Sequence, residues 1–433
     1  MRRDVDRGLR RIVIVGASLA GVSAAQALRE AEFPGEIVLL GDEPHPPYDR
    51  PPLSKEAVSK EAPSKDAPSG QALPADPAPR WLRPDGWYGE HGIDLRLGVR
   101  AAALDTGRKR VILADGAELD YDGLVLATGA RPAPLPGALA APGVLTLRTI
   151  EDAAALRPAL TAGRRVLVIG AGFIGLEVAA AAQSAGAHVM LVEVAMAPLA
   201  RALGDQVGEW MARRHRAAGA DVRCGQPVRR ISARPDGYQA VLGDGTTLSA
   251  DVVVAAMGVL PAVDWLRGSG LRIGDGVLCD ECCRTSVPGV VAAGDLARWY
   301  NPLFDEDMRI EHWTNAAEQG RAAARTLLGH AAAYAPVPYF WSDQYGMRIR
   351  FAGRAYAAAE VRIEDRGNGS MVALFQRDGL IRGVLCVDAL RELPVRRLQI
   401  LNRQRWEEVV PEPSPGDPVS GGRQSRPVLQ VPP

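Results

Sequence analysis

The chain is short of lysine. Only Lys55, Lys60, Lys65 and Lys109 occur among 51 basic residues, and the remainder are arginine. Net charge is also missing, with 51 basic against 51 acidic residues, so there is no global attraction to nucleic acid or to an acidic membrane surface. No apolar run approaches the roughly 18 residues needed to span a bilayer. The opening MRRDVDRGLRR carries Asp4 and Asp6 and runs straight into a strand, which leaves no room for a signal or transit peptide and predicts a cytoplasmic protein. Five cysteines, odd in number and scattered, do not make a secreted disulfide framework. What the chain does have is length. Its 433 residues, 47% of them hydrophobic, exceed one core and predict about two or three domains.

Two glycine turns organise that length. RIVIVGASLAGVSAAQALRE reads as a β-branched strand turning through Gly16 to Gly21 into an alanine-rich helix, the strand, turn and helix of a dinucleotide fold. Ser18 stands where the second glycine of GxGxxG is expected, which adds a side chain where backbone approaches a pyrophosphate. The next strand, EIVLLGDE, ends at Asp42, near the spacing at which an acid reaches an adenosine ribose. The second turn has the full motif at Gly170, Gly172 and Gly175, and Glu193 closes its following strand. Two such sites in one chain point to a flavin and a nicotinamide.

Between the folds lies DYDGLVLATGARP, and after the second lies ADVVVAAMGVLP. Each is a strand running into a glycine turn, at Ala127, Thr128 and Gly129 and at Gly258. GVVAAGDLARW then ends a strand in Gly294 and Asp295. Such a strand can return to the first fold and set a carboxylate against a polyhydroxyl chain, so the second fold is inserted into the first. Ahead of these stands PYDRPPLSK, Pro47 to Lys55, whose prolines make a stiff arm that aims its charged side chains.

The order GASLAG, PYDRPPLSK, LATGARP, GAGFIGLE, AMGVLP, AAGD and EHWTNAAEQG resembles the FAD-dependent ferredoxin reductases of bacterial oxygenase systems. These lie within the glutathione-reductase-like flavoproteins, and the resemblance covers roughly residues 10–400. It implies an α/β protein with two Rossmann-like domains, FAD-binding with the NAD domain inserted, and a smaller α+β C-terminal domain. The expected boundaries are 8–120 and 250–329 for the FAD domain, 121–249 for the NAD domain, 330–405 for the C-terminal domain and 406–433 for a disordered tail. Residues 57–80 read as an inserted flexible loop.

The implied activity is transfer of electrons from NADH, with NADPH as the rival donor, through FAD to a small iron-sulfur ferredoxin that supplies an oxygenase. The alternatives are an NADH oxidase or peroxidase and a redox-sensing cell-death-type flavoprotein, the latter sharing most motifs. No metal, nucleic-acid or membrane partner is expected, and the protein is a monomer or homodimer. The resemblance implies that Gly16, Ser18, Ala20 and Gly21 border the FAD pyrophosphate, that Asp42 meets its ribose, and that Arg50 holds the adenosine half. Asp295, after Gly294, takes the ribityl chain, Lys55 lies beside the flavin ring, and Trp313 stands at the flavin edge. Phe173 and Glu177 are placed at the nicotinamide, and Glu193 favours NADH because a carboxylate repels a 2′-phosphate. The bland readings are a solvated Lys55, a Glu177 that complements its helix dipole, and a Trp313 that staples a helix beginning near Thr314 or Asn315. Arg298, Arg309, Arg348 and Arg350 are candidates to attract an acidic acceptor. The cysteine pair in CDECC, Cys279 to Cys283, is a rival redox centre, but it lies outside the segments where disulfide reductases of this fold carry theirs.

Overall fold

The computed structural model describes residues 8–55, 58, 79–355 and 358–410. Arg11–Val15 is the central strand of a five-stranded parallel sheet. Its order is Val290–Ala292, Gly123–Leu126, Arg11–Val15, Glu36–Leu40 and Ile93–Arg96. These strands are almost continuously apolar because both faces are covered, and Ile12, Val13 and Ile14 are fully buried. Arg165–Ile169 occupies the matching place in a four-stranded parallel sheet, between His188–Val192 and Val252–Ala255, with Asp221–Arg223 at the edge.

Each central strand ends in a glycine turn that leads into a twelve-residue helix, Leu19–Glu30 or Phe173–Ser184. A Cβ on Gly21 would lie 1.9 Å from the carbonyl oxygen of Gly16, and one on Gly175 2.0 Å from that of Gly170. Helix and strand meet closely enough that only glycine fits. Val290–Ala292 closes the first sheet after the whole second fold has been built, so the second is inserted into the first.

The expected boundaries at 120/121 and 249/250 each misplace one strand. Gly123–Leu126 pairs with Arg11–Val15 and belongs to the first sheet, whereas Val252–Ala255 pairs with Arg165–Ile169 and belongs to the second. The crossings come after them, where Ala130–Pro132 and Val259–Pro261 pair antiparallel. A strand buried on both faces carries no sequence mark of which sheet it joins.

Tyr339–Gln344, Met347–Gly353, Glu360–Asp365, Met371–Arg377 and Leu380–Val387 form a five-stranded antiparallel sheet. Its side chains alternate as a sheet covered on both faces requires. Met371, Ala373 and Phe375 share a core with Val166, Leu176 and Trp210 of the second nucleotide fold, while Val372 and Leu374 pack with Trp299, Phe304 and Ile400. The tail does not begin at 406, because Trp406–Val409 is helical and Trp406 is buried in that second core. Residues 411–433 and almost all of the 57–80 insertion lie outside the described residues. The chain leaves and re-enters this insertion as a pair, with Asp49 N donating to the Arg80 carbonyl and Leu82 N to that of Pro47 (both 2.8 Å).

The helix in EHWTNAAEQG begins at Trp313, not at Thr314 or Asn315, and runs to Leu327. His312 takes the capping position without a side-chain cap. The two polar residues are used elsewhere. The Thr314 hydroxyl donates to the Tyr339 carbonyl (2.6 Å) and the Asn315 amide to that of Ile310 (3.0 Å), which ties the helix start to two other segments. This helix crosses Leu19–Glu30 so tightly that a Cβ on Gly320 would lie 2.2 Å from the Ala20 carbonyl oxygen.

Candidate active site

One cleft of about 440 Å³ runs from the first glycine turn to the start of the second helix. Gly16, Ser18, Ala20, Asp42, Arg50, Lys55, Ala127, Thr128, Gly129, Phe173, Glu177, Gly294, Asp295 and Trp313 all line it. Gly170, Gly172, Gly175, Glu193 and Gly258 do not; they sit at the open end of the second sheet, and that fold reaches the cleft through Phe173, Ile174 and Glu177. Gly21 lies beneath the first turn, against Gly16.

At the near end, helix Leu19–Glu30 starts at Ser18, whose side chain makes no cap bond, and its first turn holds no acidic residue. The positive end of the helix therefore faces the cleft without a competing carboxylate. The two acids that close the second strands are not equivalent. Gly170 N donates to Val192 O and Gly16 N to Leu40 O, both 2.8 Å, so the residue matching Glu193 is Gly41, and Asp42 is one step farther and exposed. Glu193 is held by backbone amides, Ala171 N at 2.6 Å and Ala195 N at 2.9 Å. Next to Asp42, Glu43 accepts from Arg50 and from the Tyr48 hydroxyl, each at 2.5 Å.

Arg50 also donates to the Arg148 carbonyl (2.6 Å), and its guanidinium lies 5.1 Å from the Tyr48 ring centre. Arg148 in turn pairs with Asp295 (2.9 Å). Neither Arg148 nor Glu43 was legible, since one arginine among so many carries no signal. Gly294 N donates to the side-chain oxygen of buried Gln319 (2.9 Å), which fixes the turn that presents Asp295.

At the far end, Pro51–Ser54 forms a short 3-10 turn that delivers Lys55 into the cleft wall. Lys55 is not solvated. Its Nζ lies 2.8 Å from Oε1 of Glu177, and its side chain is 16% exposed. Glu177 is buried and also accepts from the Ser54 and Ser342 hydroxyls, the latter at 2.5 Å. It is therefore more than a complement to the helix dipole. Phe173 packs edge-on against Phe340 (ring centres 4.4 Å apart) from the C-terminal sheet.

Trp313 is no staple, because it is 36% exposed and donates its indole N–H to Asp49 (2.6 Å). It sits edge-on to Trp341, 5.9 Å between centres. Burial pushes the Asp49 carboxyl up, partly offset by that indole, Arg80 and Lys55. Burial likewise raises Glu311 and lowers His312 to about 3, so the imidazole on the cleft wall is neutral.

Two expected acceptor-facing arginines are structural. Arg309 pairs with Asp275 and Glu311 and bonds the Asp295 carbonyl. Arg350 is buried against Asp343 and the Ser342 carbonyl. None of the five cysteines lines the cleft.

A parallel sheet with a glycine turn, repeated and interleaved, with one cleft that runs from the first turn to the start of the second helix, defines a two-dinucleotide oxidoreductase of the FAD and NAD type. The chain belongs to the pyridine nucleotide-disulphide oxidoreductase family, whose model matches residues 10–320, and a reductase C-terminal domain matches residues 339–410. It is 39% identical to putidaredoxin reductase of Pseudomonas putida over 79% of this chain and 80% of the relative. It is 40% identical to the ferredoxin–NAD(+) reductase component of the anthranilate 1,2-dioxygenase system of Burkholderia cepacia, over 79% and 81%. The solved covalent putidaredoxin reductase–putidaredoxin complex superposes with a TM-score of 0.84 at 35% identity, over 91% of this chain and 93% of that one. Family and names together imply FAD and NADH as cofactors.

Proposed function

We propose that the protein takes electrons from NADH through FAD and passes them to a small iron-sulfur ferredoxin serving an oxygenase. The observation that carries this reading is the single cleft walled by both nucleotide folds, with Lys55 of one paired to Glu177 of the other. Gly16, Ser18, Ala20 and Gly21 present the helix end to a pyrophosphate, and Asp42 and Arg50 take the adenosine half. Asp295, oriented by Arg148, takes the ribityl hydroxyls, with Ala127, Thr128, Gly129 and Gly294 as backbone walls. Gly170, Gly172, Gly175 and Gly258 bed the nicotinamide dinucleotide. Bound FAD supplies a two-electron acceptor that can release electrons singly.

Lys55 fixes a positive charge at the inner wall, and Glu177 holds it there. Phe173 and Phe340 close the pocket to water, and Trp313 with Trp341 forms its exposed rim. Hydride transfer needs no acid or base from the protein, only two rings held in register. With no cysteine at the cleft, the disulfide chemistry in the family's name has no partner here. The deciding measurement is NADH oxidation by the yellow holoenzyme with and without a two-iron ferredoxin. Turnover that rises with ferredoxin concentration supports the reading, and equal turnover with oxygen alone would make the protein an oxidase. Glu193→Ala, which frees the ribose corner of a fixed negative charge, is expected to shift the NADPH to NADH ratio of kcat/KM upward by about tenfold. An unchanged ratio removes Glu193 from cofactor choice.

A further inference from the structure

Behind Glu177 a file of buried polar side chains leads away from the cleft through the C-terminal sheet into the second nucleotide fold. The Ser342 hydroxyl is 2.5 Å from Oε1 of Glu177. The Gln344 amide nitrogen is 3.0 Å from the Ser342 oxygen, and Nε2 of His215 is 2.9 Å from the Gln344 oxygen. Nδ1 of His215 faces the Tyr345 hydroxyl at 3.3 Å, and that hydroxyl also lies 3.2 Å from the Gln183 side-chain oxygen. Glu177, Ser342, Gln344 and His215 are all buried, the middle two on one strand and His215 on helix Asp205–Ala217.

The direction of each bond is set by chemistry. A carboxylate in a salt bridge only accepts, so Ser342 must donate to Glu177, and its oxygen must then accept from the Gln344 amide. The Gln344 oxygen is left to accept, so His215 carries its proton on Nε2 and has a bare Nδ1. At the far end Gln183 donates to the Ala218 carbonyl, which turns its oxygen to Tyr345, so the Tyr345 proton is shared between two acceptors. The opposite polarity would set two lone pairs against each other at 2.5 Å beside Glu177.

We infer that His215, Gln344 and Ser342 form a one-way donor file that positions Glu177 for the nicotinamide carboxamide. An ionised carboxylate has about four acceptor directions. Ser342 and Lys55 take both on Oε1 and Ser54 takes one on Oε2, so one on Oε2 has no donor among the described residues. The file locks the carboxylate so that this last direction is held in one place, at the cleft wall. Had His215 its proton on Nδ1, the Gln344 amide would turn over, Ser342 would donate to Gln344, and Glu177 would be left with Lys55 and Ser54 but without its third donor. The three are positioning residues, and the inference rests on the reading that Glu177 meets the nicotinamide.

The test uses FAD-loaded, reduced full-length protein, with NAD+ binding measured by titration calorimetry. Ser342→Ala deletes the last donor. Gln344→Glu keeps the shape but replaces the amide donor by an acceptor that draws the Ser342 proton away. Each is expected to raise the NAD+ dissociation constant by about threefold to tenfold, the worth of one such bond, with FAD content retained and a melting temperature lowered but still above that of the assay. Ser342→Thr, which keeps the hydroxyl, restores tight binding. Nitrogen-15 NMR of His215 is expected to show the Nε2–H tautomer. Weak binding in Glu177→Gln with parental binding in Ser342→Ala and Gln344→Glu overturns the file and spares the role of Glu177. Parental binding in Glu177→Gln overturns both. A His215 proton on Nδ1 overturns the polarity.

Discussion

Lys55 and Glu177 come from different folds, 122 positions apart in sequence, and their pairing sets what each can do. Removing the lysine in Lys55→Met leaves a buried carboxylate without its counter-charge and removes the cation at the inner wall. Flavin reduction by NADH, followed by stopped flow, is expected to slow by about tenfold to a hundredfold. In Lys55→Met combined with Glu177→Gln the loss is less than the sum of the two singles, because both act through one pair. Additive losses would mean that the two act separately. His312 gives a pH signature. Burial, reinforced by Arg354, lowers its pKa to about 3, and burial lowers that of His215 too, whereas in the unfolded chain both titrate near about 6.5. As pH falls below that value the unfolded state binds protons that the folded state refuses. Stability is then lost at up to about 1.4 kcal/mol per pH unit per histidine, down to the folded pKa. His312→Phe is therefore expected to lose less stability between about pH 7.5 and pH 5 than the parent, read from urea midpoints. Equal losses would show that His312 takes up a proton without unfolding. The sequence offered Lys55 because a proline arm aimed it. It did not offer Ser54, Ser342 or Arg148, which are common residue types made special only by what they meet.

At the scale of elements, the two strand–turn–helix units were legible because both carry a steric rule in their letters. The last glycine of each motif is demanded by a carbonyl within 2.0 Å of a would-be Cβ. The start of helix Trp313–Leu327 was not legible. Thr314 and Asn315 are good capping types, yet tertiary partners took both side chains and moved the start to Trp313. The crossing of this helix over Leu19–Glu30 is a second steric rule, hidden in the sequence because its other half is a backbone carbonyl far away in the chain. Gly320→Ala adds only the Cβ that the Ala20 carbonyl forbids. It is expected to cost about 1 to 3 kcal/mol and to loosen FAD, since the same helix holds Gly294 through Gln319. Calorimetric melting and flavin content on gel filtration measure both. An unchanged melting temperature with full flavin would mean that the two helices part without penalty.

For the whole molecule, fold class and inserted topology followed from motif order, while the sharing of cores did not. Apolar residues of the C-terminal strands gave their alternation, but alternation cannot say which body covers which face. One face is covered by the second nucleotide fold, through Val166, Leu176 and Trp210 against Met371, Ala373 and Phe375. A Trp210 to Asp365 hydrogen bond (2.8 Å) adds to it. A chain ended at residue 335 therefore bares the core of the second nucleotide fold. It is expected to be recovered as aggregate rather than as a soluble two-domain protein, tested by sedimentation of the lysate and gel filtration. A soluble, yellow, monodisperse fragment would show that the sheet is a removable cover. The shared core also bears on building chimeras. An engineer who wishes to retarget the electron output by grafting a relative's last domain would import one half of a jigsaw whose other half stays behind. The transferable cassette is discontinuous, joining the strands after residue 339 to the helices Phe173–Ser184 and Asp205–Ala217 on which they close.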